Sequence, residues 1–260
     1  MTGDGADLVD RFAGVVGADH VLAGEAIKDD YTHDEALTAT PQRPLAVVLP
    51  AMTDEVAGVL RVADEHGIPV TARGAGTGMS GACIPRPDGI VVSFERMAAV
   101  VEVDTENFIV TVEPGVRLDQ LDAELAPLGL VYPVFPGEYS ASLGGNVSTN
   151  AGGMRAVKYG VTRHHVLGLE AVLPSGEVIH CGGKVVKVST GYDLTQLVIG
   201  SEGTLALVTK AYLKLYPRAP HQATVLAPFA SLEAVTAAVP EIVRSGVGPL
   251  ILEYIDMLTM

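Results

Sequence analysis

The stretch Val70–Pro85, V-T-A-R-G-A-G-T-G-M-S-G-A-C-I-P, constrains this chain more than any other. It places Gly74, Gly76, Gly78 and Gly81 within eight residues. Glycine costs conformational entropy in any regular element, so this density calls for a backbone that bends sharply or approaches something closely. Without Cβ atoms in the way, successive N–H groups can converge and form a concave anion site. A phosphate or pyrophosphate is the expected guest, and a tight surface turn that binds nothing is the plain alternative. Gly76-Thr77-Gly78-Met79-Ser80-Gly81 also fits G-x-G-x-x-G, but that dinucleotide fingerprint requires a helix directly after it. Here Ala82-Cys83-Ile84-Pro85-Arg86-Pro87 follows. Pro85 and Pro87 do not support a helix interior, and the next element reads as a strand, Ile90–Phe94. No acidic residue sits at the expected end of a second parallel strand. The phosphate loop is retained and a nicotinamide-binding Rossmann unit rejected.

Around this loop the apolar pattern is regular. Ala6–Val16 reads as an amphipathic helix with Leu8, Phe12, Val15 and Val16 on one face. Lys28–Pro44 is polar and reads as irregular. Ala46–Leu49 is a compact strand stopped by Pro50. Thr53 is the expected N-cap of a helix, with Asp54 and Glu55 in its first turn, Val56, Val59, Leu60 and Ala63 at helical spacing, and Gly67 at its end. Ile68–Thr71 then delivers the chain into the glycine loop. Strands are expected at Ala99–Val103 and Phe108–Val112, around the turn Asp104-Thr105-Glu106-Asn107. Glu113-Pro114-Gly115-Val116 is a turn, and Leu118, Leu121 and Leu125 mark a helix. Leu167–Leu173 and Glu177–Cys181 form a hairpin, Asp193–Val198 a short helix or turn, and Leu205–Leu215 a strand.

Two further stretches are rich in glycine. Pro136–Gly153 reads P-G-E-Y-S-A-S-L-G-G-N-V-S-T-N-A-G-G, with small polar residues and neither helical nor strand period, so irregular backbone is expected. A flexible linker is the plain reading. Its place between ordered elements favours a second ligand-lining loop instead, since linkers of this composition usually flank domains. Gly200-Ser201-Glu202-Gly203-Thr204 is a third glycine-punctuated turn. Beyond the boundary Pro217–His221, a strand at Ala223–Ala227, a helix at Leu232–Arg244 and a strand at Leu250–Ile255 form one β-α-β unit whose apolar face has nothing behind it.

The 260-residue chain is long enough for one large or two modest domains, and 48% of it is hydrophobic. Its formal net charge is −14, which argues against nonspecific nucleic-acid binding. Any phosphate is therefore expected to be gripped by backbone amides more than by a basic patch. No signal peptide and no transmembrane segment are expected. Cys83 and Cys181 have no metal-like spacing, and free thiols in a cytoplasmic setting are the default. His164-His165 point to opposite faces if on a strand, so no shared metal is expected there.

R-G-A-G-T-G-M-S-G at 73–81, A-S-L-G-G-N-V-S-T-N-A-G-G at 141–153 and G-S-E-G-T-L-A-L-V-T at 200–209 stand in order. Together with K-Y-G-V-T-R at 158–163 and G-Y-D-L-T-Q-L at 191–197, they closely resemble the FAD-linked oxidases of the vanillyl-alcohol oxidase / p-cresol methylhydroxylase (PCMH) type. The nearest branch is the glycolate oxidase FAD subunit and D-lactate dehydrogenase group. The resemblance is strong over about residues 40–218 and weaker to Met260. It implies an α+β fold: a lead-in at 1–40, a PCMH-type FAD-binding domain at 41–218 made of two α/β subdomains (about 41–104 and 105–218), and the opening β-α-β unit of a cap domain at 219–260.

The resemblance also implies a cofactor site. Arg73, Gly74, Ala75, Gly76, Thr77, Gly78, Met79, Ser80 and Gly81 would hold the FAD pyrophosphate through backbone amides. Pro136, Gly137, Ser142, Gly144, Gly145, Asn146, Thr149, Asn150, Gly152 and Gly153 would wrap the flavin and ribityl chain. Glu202, Gly203 and Leu207 would lie near the adenine or pyrophosphate. Members that attach flavin covalently through the first loop carry a histidine where Thr77 stands, so noncovalent FAD is expected. The implied reaction is oxidation of a 2-hydroxy acid, with hydride passing to flavin N5 and electrons leaving to a quinone, cytochrome or iron-sulfur partner subunit. A cytoplasmic place is expected, with peripheral attachment to a membrane left open. The catalytic base and metal ligands of the family are expected beyond Met260, so none is assigned here. Arg155 or Lys158 is a candidate cation beside the reduced flavin, against a solvated or structural role. Two other readings stay open: a noncatalytic flavin-binding fragment or subunit that needs a separate cap, and a same-fold NADPH-dependent reductase.

Overall fold

The computed structural model describes residues 3–256 and 258. Two sheets form its frame. The first has the order β1-β2-β4-β3, built from Val21–Ala23 (β1), Ala46–Val48 (β2), Val70–Arg73 (β3) and Ile90–Ser93 (β4). β2 and β3 both pair in parallel with β4, and β1 adds an antiparallel edge. Every residue of β2 and β4 is buried, as expected for parallel strands covered on both faces. One cover is the helix Thr53–Glu65 (α2), which lays Val56, Val59, Leu60 and Ala63 on Ala46, Val48, Ile90 and Val92. The helix Gly3–Val16 (α1) packs outside it through Phe12 and Val16. Gly58 lets the two helices meet, since a Cβ there would lie 2.7 Å from Val15 Cγ1. On the other face Ile27, Tyr31 and Leu49 cover Val47 and Val91.

The second sheet is antiparallel throughout, in the order β5-β6-β10-β8-β9. Its strands are Val100–Asp104 (β5), Ile109–Val112 (β6), Val166–Val172 (β8), Val178–Gly182 (β9) and Leu207–Lys214 (β10). The helices Leu118–Leu125 (α3) and Leu143–Thr149 (α4) bury Leu121, Leu125, Leu143 and Val147 against Val110, Leu169 and Leu213. Leu130–Val131 (β7) and Tyr216–Pro217 (β11) form a small ribbon. Short helices occur at Ala156–Tyr159 (α5) and Leu194–Val198 (α6).

The sheets share apolar contact and a polar junction. Val172 and Leu207 of the second sheet belong to the core packed under α2. Beside them the Glu170 carboxylate accepts hydrogen bonds from Thr53 Oγ1 (2.5 Å), Thr209 Oγ1 (3.0 Å) and Lys210 Nζ (2.9 Å), with His180 Nε2 at 3.1 Å. Burial pushes this carboxyl up, but the hydrogen bonds from Thr53, Lys210 and Thr209 and the lysine charge outweigh it and bring it down to about 2.

Several expectations change in detail. Thr53 is not the N-cap of α2; Met52 holds that position, and the Thr53 hydroxyl turns to Glu170 instead. Val100–Asp104 pairs with β6, so the passage between the sheets lies before Val100 rather than after Asp104. The second glycine-rich stretch is not wholly irregular. Ser142 caps α4 by accepting from Gly145 N, and Leu143 and Val147, one turn apart, anchor it in the core. The polar segment 28–44 is packed, with Tyr31, Thr32 and Asp34 buried. At the C-terminal end the helix Leu232–Arg244 (α7) forms with Ser231 as its cap, but it buries none of its residues. Among the described residues, 223–227 and 250–255 carry no strand, so the expected β-α-β unit is present only as its helix.

Candidate functional site

The first glycine loop leaves β3 and turns back to enter β4. Gly76 and Gly81 have φ of 75° and 83°, a left-handed backbone that side chains rarely adopt. The main-chain N–H groups of residues 76–81 find no acceptor among the described residues. Ala75 N is a loop donor already used, at 3.2 Å from Ser142 Oγ. Six consecutive donors on a glycine-rich turn are thus left without a protein acceptor, which is the condition an anion-binding loop requires.

The second loop meets the first edge-on. A Cβ at Gly74 would overlap Ser142 Oγ, and one at Gly145 would lie 2.9 Å from the same atom. A glycine at 74 lets the start of α4 come this close, and one at 145 leaves room for the capping hydroxyl of Ser142. Gly144 packs on Pro114 and donates to Pro114 O at 2.8 Å. The third turn docks on the end of α4: Gly200 N donates to Val147 O (3.0 Å) and Glu202 N to Ser148 O (2.8 Å). Glu202 and Gly203 have φ of 52° and 79°. Ser80 Oγ donates to Glu202 Oε1 at 3.3 Å, tying first loop to third.

Between these loops lie a narrow pocket of about 60 Å³ and an open cleft of about 610 Å³. Gly74, Gly144, Gly145, Thr149, Glu202 and Leu207 line the first, and Arg73, Gly74, Ala75 and Ser142 the second. The other expected residues stand apart from both linings. Met79 is 83% exposed at the tip of the loop. Pro136, Gly137 and Gly153 cluster together, because Gly153, at φ 142°, sits tight against Phe135 O and Pro136 Cα. Gly152 packs on Val161, and Asn150 Oδ1 accepts from Arg163 N at 3.0 Å. Asn146 is buried with its Nδ2 unpartnered. Arg73 is also buried; its guanidinium lies under Gly76 and donates to His33 O at 2.6 Å. It therefore shapes the loop from below.

Some lining residues were not anticipated. The Pro114–Gly115 turn supports Gly144, and its Pro-Gly pair between a strand and a helix is the signal that marks it. Tyr31, Lys28 and Glu95 form the far wall of the larger cleft, with Tyr31 OH donating to Glu95 at 3.0 Å. Burial and the Glu95 carboxylate push this phenol up to about 12. Cys83 lines the narrow pocket, where burial pushes its thiol up. Arg155 stacks on Phe135 with its Nε buried and unpartnered, whereas Lys158 is exposed over the Tyr159 ring. The neighbouring histidines face different groups: His165 is buried against Tyr159 O, and His164 is exposed and accepts from Val161 N. Among the described residues no group of three or more His, Cys, Asp or Glu could hold a metal ion.

Two sheets with a glycine cradle at their junction define the fold of PCMH-type FAD-binding domains. Solved structures share it: alkyldihydroxyacetonephosphate synthase superposes with a TM-score of 0.80 at 20% identity, over 95% of this chain and 47% of that one. The 4-ethylphenol oxidase of Gulosibacter chungangensis superposes at 0.72 and 23% identity, over 85% and 44%. The model of the FAD binding domain family matches residues 44–182, and the chain belongs to that family. It is 59% identical to an uncharacterized FAD-linked oxidoreductase of Mycobacterium tuberculosis over 98% of this chain and 56% of that protein. It is 40% identical to a D-lactate dehydrogenase of Anaerostipes hadrus, over 96% and 52%. It is also 40% identical to the glycolate oxidase subunit GlcD of Bacillus subtilis, over 98% and 54%. The chain thus spans about half the length of the curated relatives it matches. No helix among the described residues is long and apolar enough to cross a membrane.

The residues present fit FAD on two counts. The open donors at 76–81 suit a pyrophosphate. The orphaned Asn146 amide is a buried donor of the kind a polar ligand satisfies.

Proposed function

We propose that this chain is the FAD-binding part of an FAD-dependent dehydrogenase acting on a 2-hydroxy acid of the D-lactate, glycolate or 2-hydroxyglutarate class. The observation that carries the reading is the row of unpartnered N–H groups at 76–81, held against α4 by the Gly74–Ser142 contact. A chain with net charge −14 gains its grip on a pyrophosphate from aimed amide dipoles rather than from surface cations. Residues 73–81 receive the pyrophosphate, 136–153 the flavin and ribityl chain, and Glu202, Gly203 and Leu207 lie near the adenine or the pyrophosphate. Bound FAD supplies the two-electron acceptor for the hydride leaving the substrate's hydroxyl-bearing carbon. The protein's part is to orient that cofactor and keep water from it. Thr77, with no nucleophilic nitrogen, supports noncovalent attachment. The electrons then pass to a quinone, a cytochrome or an iron-sulfur subunit. A second reading, a flavin-binding piece that works only with a further domain, is favoured by α7, which buries none of its residues.

The visible spectrum of the purified chain tests these readings. Flavin bands released into the supernatant by acid support noncovalent FAD, and bands that stay with the precipitate overturn it. Anaerobic bleaching by one of D-lactate, glycolate or D-2-hydroxyglutarate names the substrate. Bound flavin that none of them bleaches supports the second reading. A protein that cannot be loaded with FAD refutes both.

A further inference from the structure

The segment 31–36 lies outside the residues matched by the family model, yet it grips the glycine loop at several points. Asp34 is 6% exposed, and both its carboxylate oxygens accept main-chain N–H groups: Oδ1 from Ala36 (3.1 Å) and Oδ2 from Cys83 (3.4 Å), just past the loop. The next residue, Glu35, donates its N–H to Gly78 O at 2.8 Å, at the middle of the loop. Preceding them, His33 O accepts from Arg73 Nη1, and the Arg73 guanidinium stacks 5.8 Å from the Tyr31 ring centre while filling the space under Gly76. Start, middle and end of the loop are thus fastened to one short segment.

A buried carboxylate beside an anion cradle costs electrostatic energy toward an incoming phosphate, so its presence calls for a compensating gain. Only a carboxylate offers two acceptors to two separate amides; an asparagine would satisfy one and oppose the other. Pinning the Gly78 carbonyl and the Cys83 amide fixes the loop while the donors at 76–81 keep no protein acceptor. A loop with four glycines otherwise has large freedom to lose when a ligand orders it. We propose that Asp34 is a positioning residue that presets the glycine loop for the pyrophosphate, acting through Ala36, Cys83 and the Glu35–Gly78 bond. This rests on the reading that the loop receives the pyrophosphate of FAD.

The test is Asp34→Ala, with apoprotein titrated separately with FAD and with riboflavin, which lacks the phosphates. FAD affinity is expected to fall roughly tenfold or more, from two carboxylate hydrogen bonds lost, with riboflavin affinity unchanged. Asp34→Asn keeps one acceptor and is expected to fall between; it carries the test if Asp34→Ala does not fold. Unchanged FAD affinity in a folded variant overturns the proposal. So does an equal loss for FAD and riboflavin accompanied by a lower apoprotein Tm, because that is general damage. A wild-type protein that binds FAD no more tightly than riboflavin instead refutes the pyrophosphate reading, and the proposal falls with it.

Discussion

Replacing Glu170 with glutamine should weaken the junction between the two sheets in a way that depends on pH. The Glu170 side chain is 10% exposed and gathers Thr53 from α2 with Thr209 and Lys210 from β10. Its carboxyl titrates near 2 against an ordinary value of 4.5. At about 1.36 kcal/mol per pH unit, that gap corresponds to roughly 3 kcal/mol of stability at pH 7. The folded value is depressed, so this contribution is complete above pH 4.5 and is lost as pH falls toward 2. At pH 3 about 1.4 kcal/mol should remain. Glu170→Gln has no such titration and keeps acceptors for Thr53 and Thr209, which makes the absolute difference at pH 7 smaller than 3 kcal/mol. The change with pH is independent of that offset: the gap between wild type and variant should shrink by about 2 kcal/mol from pH 7 to pH 3. Urea unfolding followed by circular dichroism at both pH values measures it. A difference that stays constant across that range would refute the view that the ionised carboxylate holds the junction.

Two other outcomes follow from the same contacts. Gly74→Ala places a methyl group on Ser142 Oγ, and should lower FAD affinity by about tenfold or more; adding Ser142→Ala should recover part of the loss in a fluorescence titration, and no loss in the single variant would discount the close approach of the loops. Limited trypsin digestion read by mass spectrometry should cut first at Lys184, Lys187 and Arg244, where residues 184–191 are exposed and irregular and α7 buries nothing. First cuts at the buried Arg73 or the half-buried Arg163 would contradict the packing of the loops.

What the sequence made legible was whatever apolar spacing encodes. α2, α3, the β8–β9 hairpin and β10 lie where periodicity puts them, because each buries a face that a single repeat can reveal. The three glycine-rich stretches also converge, although residues 76–81 of the first, Asn146, Gly203 and five residues of the second (Pro136, Gly137, Asn150, Gly152 and Gly153) line neither cleft. α4 escaped because Gly144 and Gly145 lower helix propensity by about 1 kcal/mol each, yet Ser142 as cap and Leu143 with Val147 one turn apart were visible signals. The segment 28–44 was opaque for a different reason. Many of its contacts are hydrogen bonds with groups distant in the sequence, and no periodicity records those. Strand order was equally hidden: β4 inserts between β2 and β3 although it follows both in the chain. At 223–227 and 250–255, apolar composition suggested strands, but without a neighbour to complete a ladder the backbone takes no strand.

The place of Val172 and Leu207 in the core under α2 bears on how this scaffold can be cut and recombined. Chain topology offers a tidy breakpoint before Val100, where one sheet ends and the next begins. A chimera joined there would import a second sheet whose residues at 172 and 207 must still fit the underside of a foreign α2, and whose residue 170 must still find a hydroxyl at 53. Exchange between relatives therefore succeeds only when those few positions travel together, and the inheritable unit is the pair of sheets rather than either half.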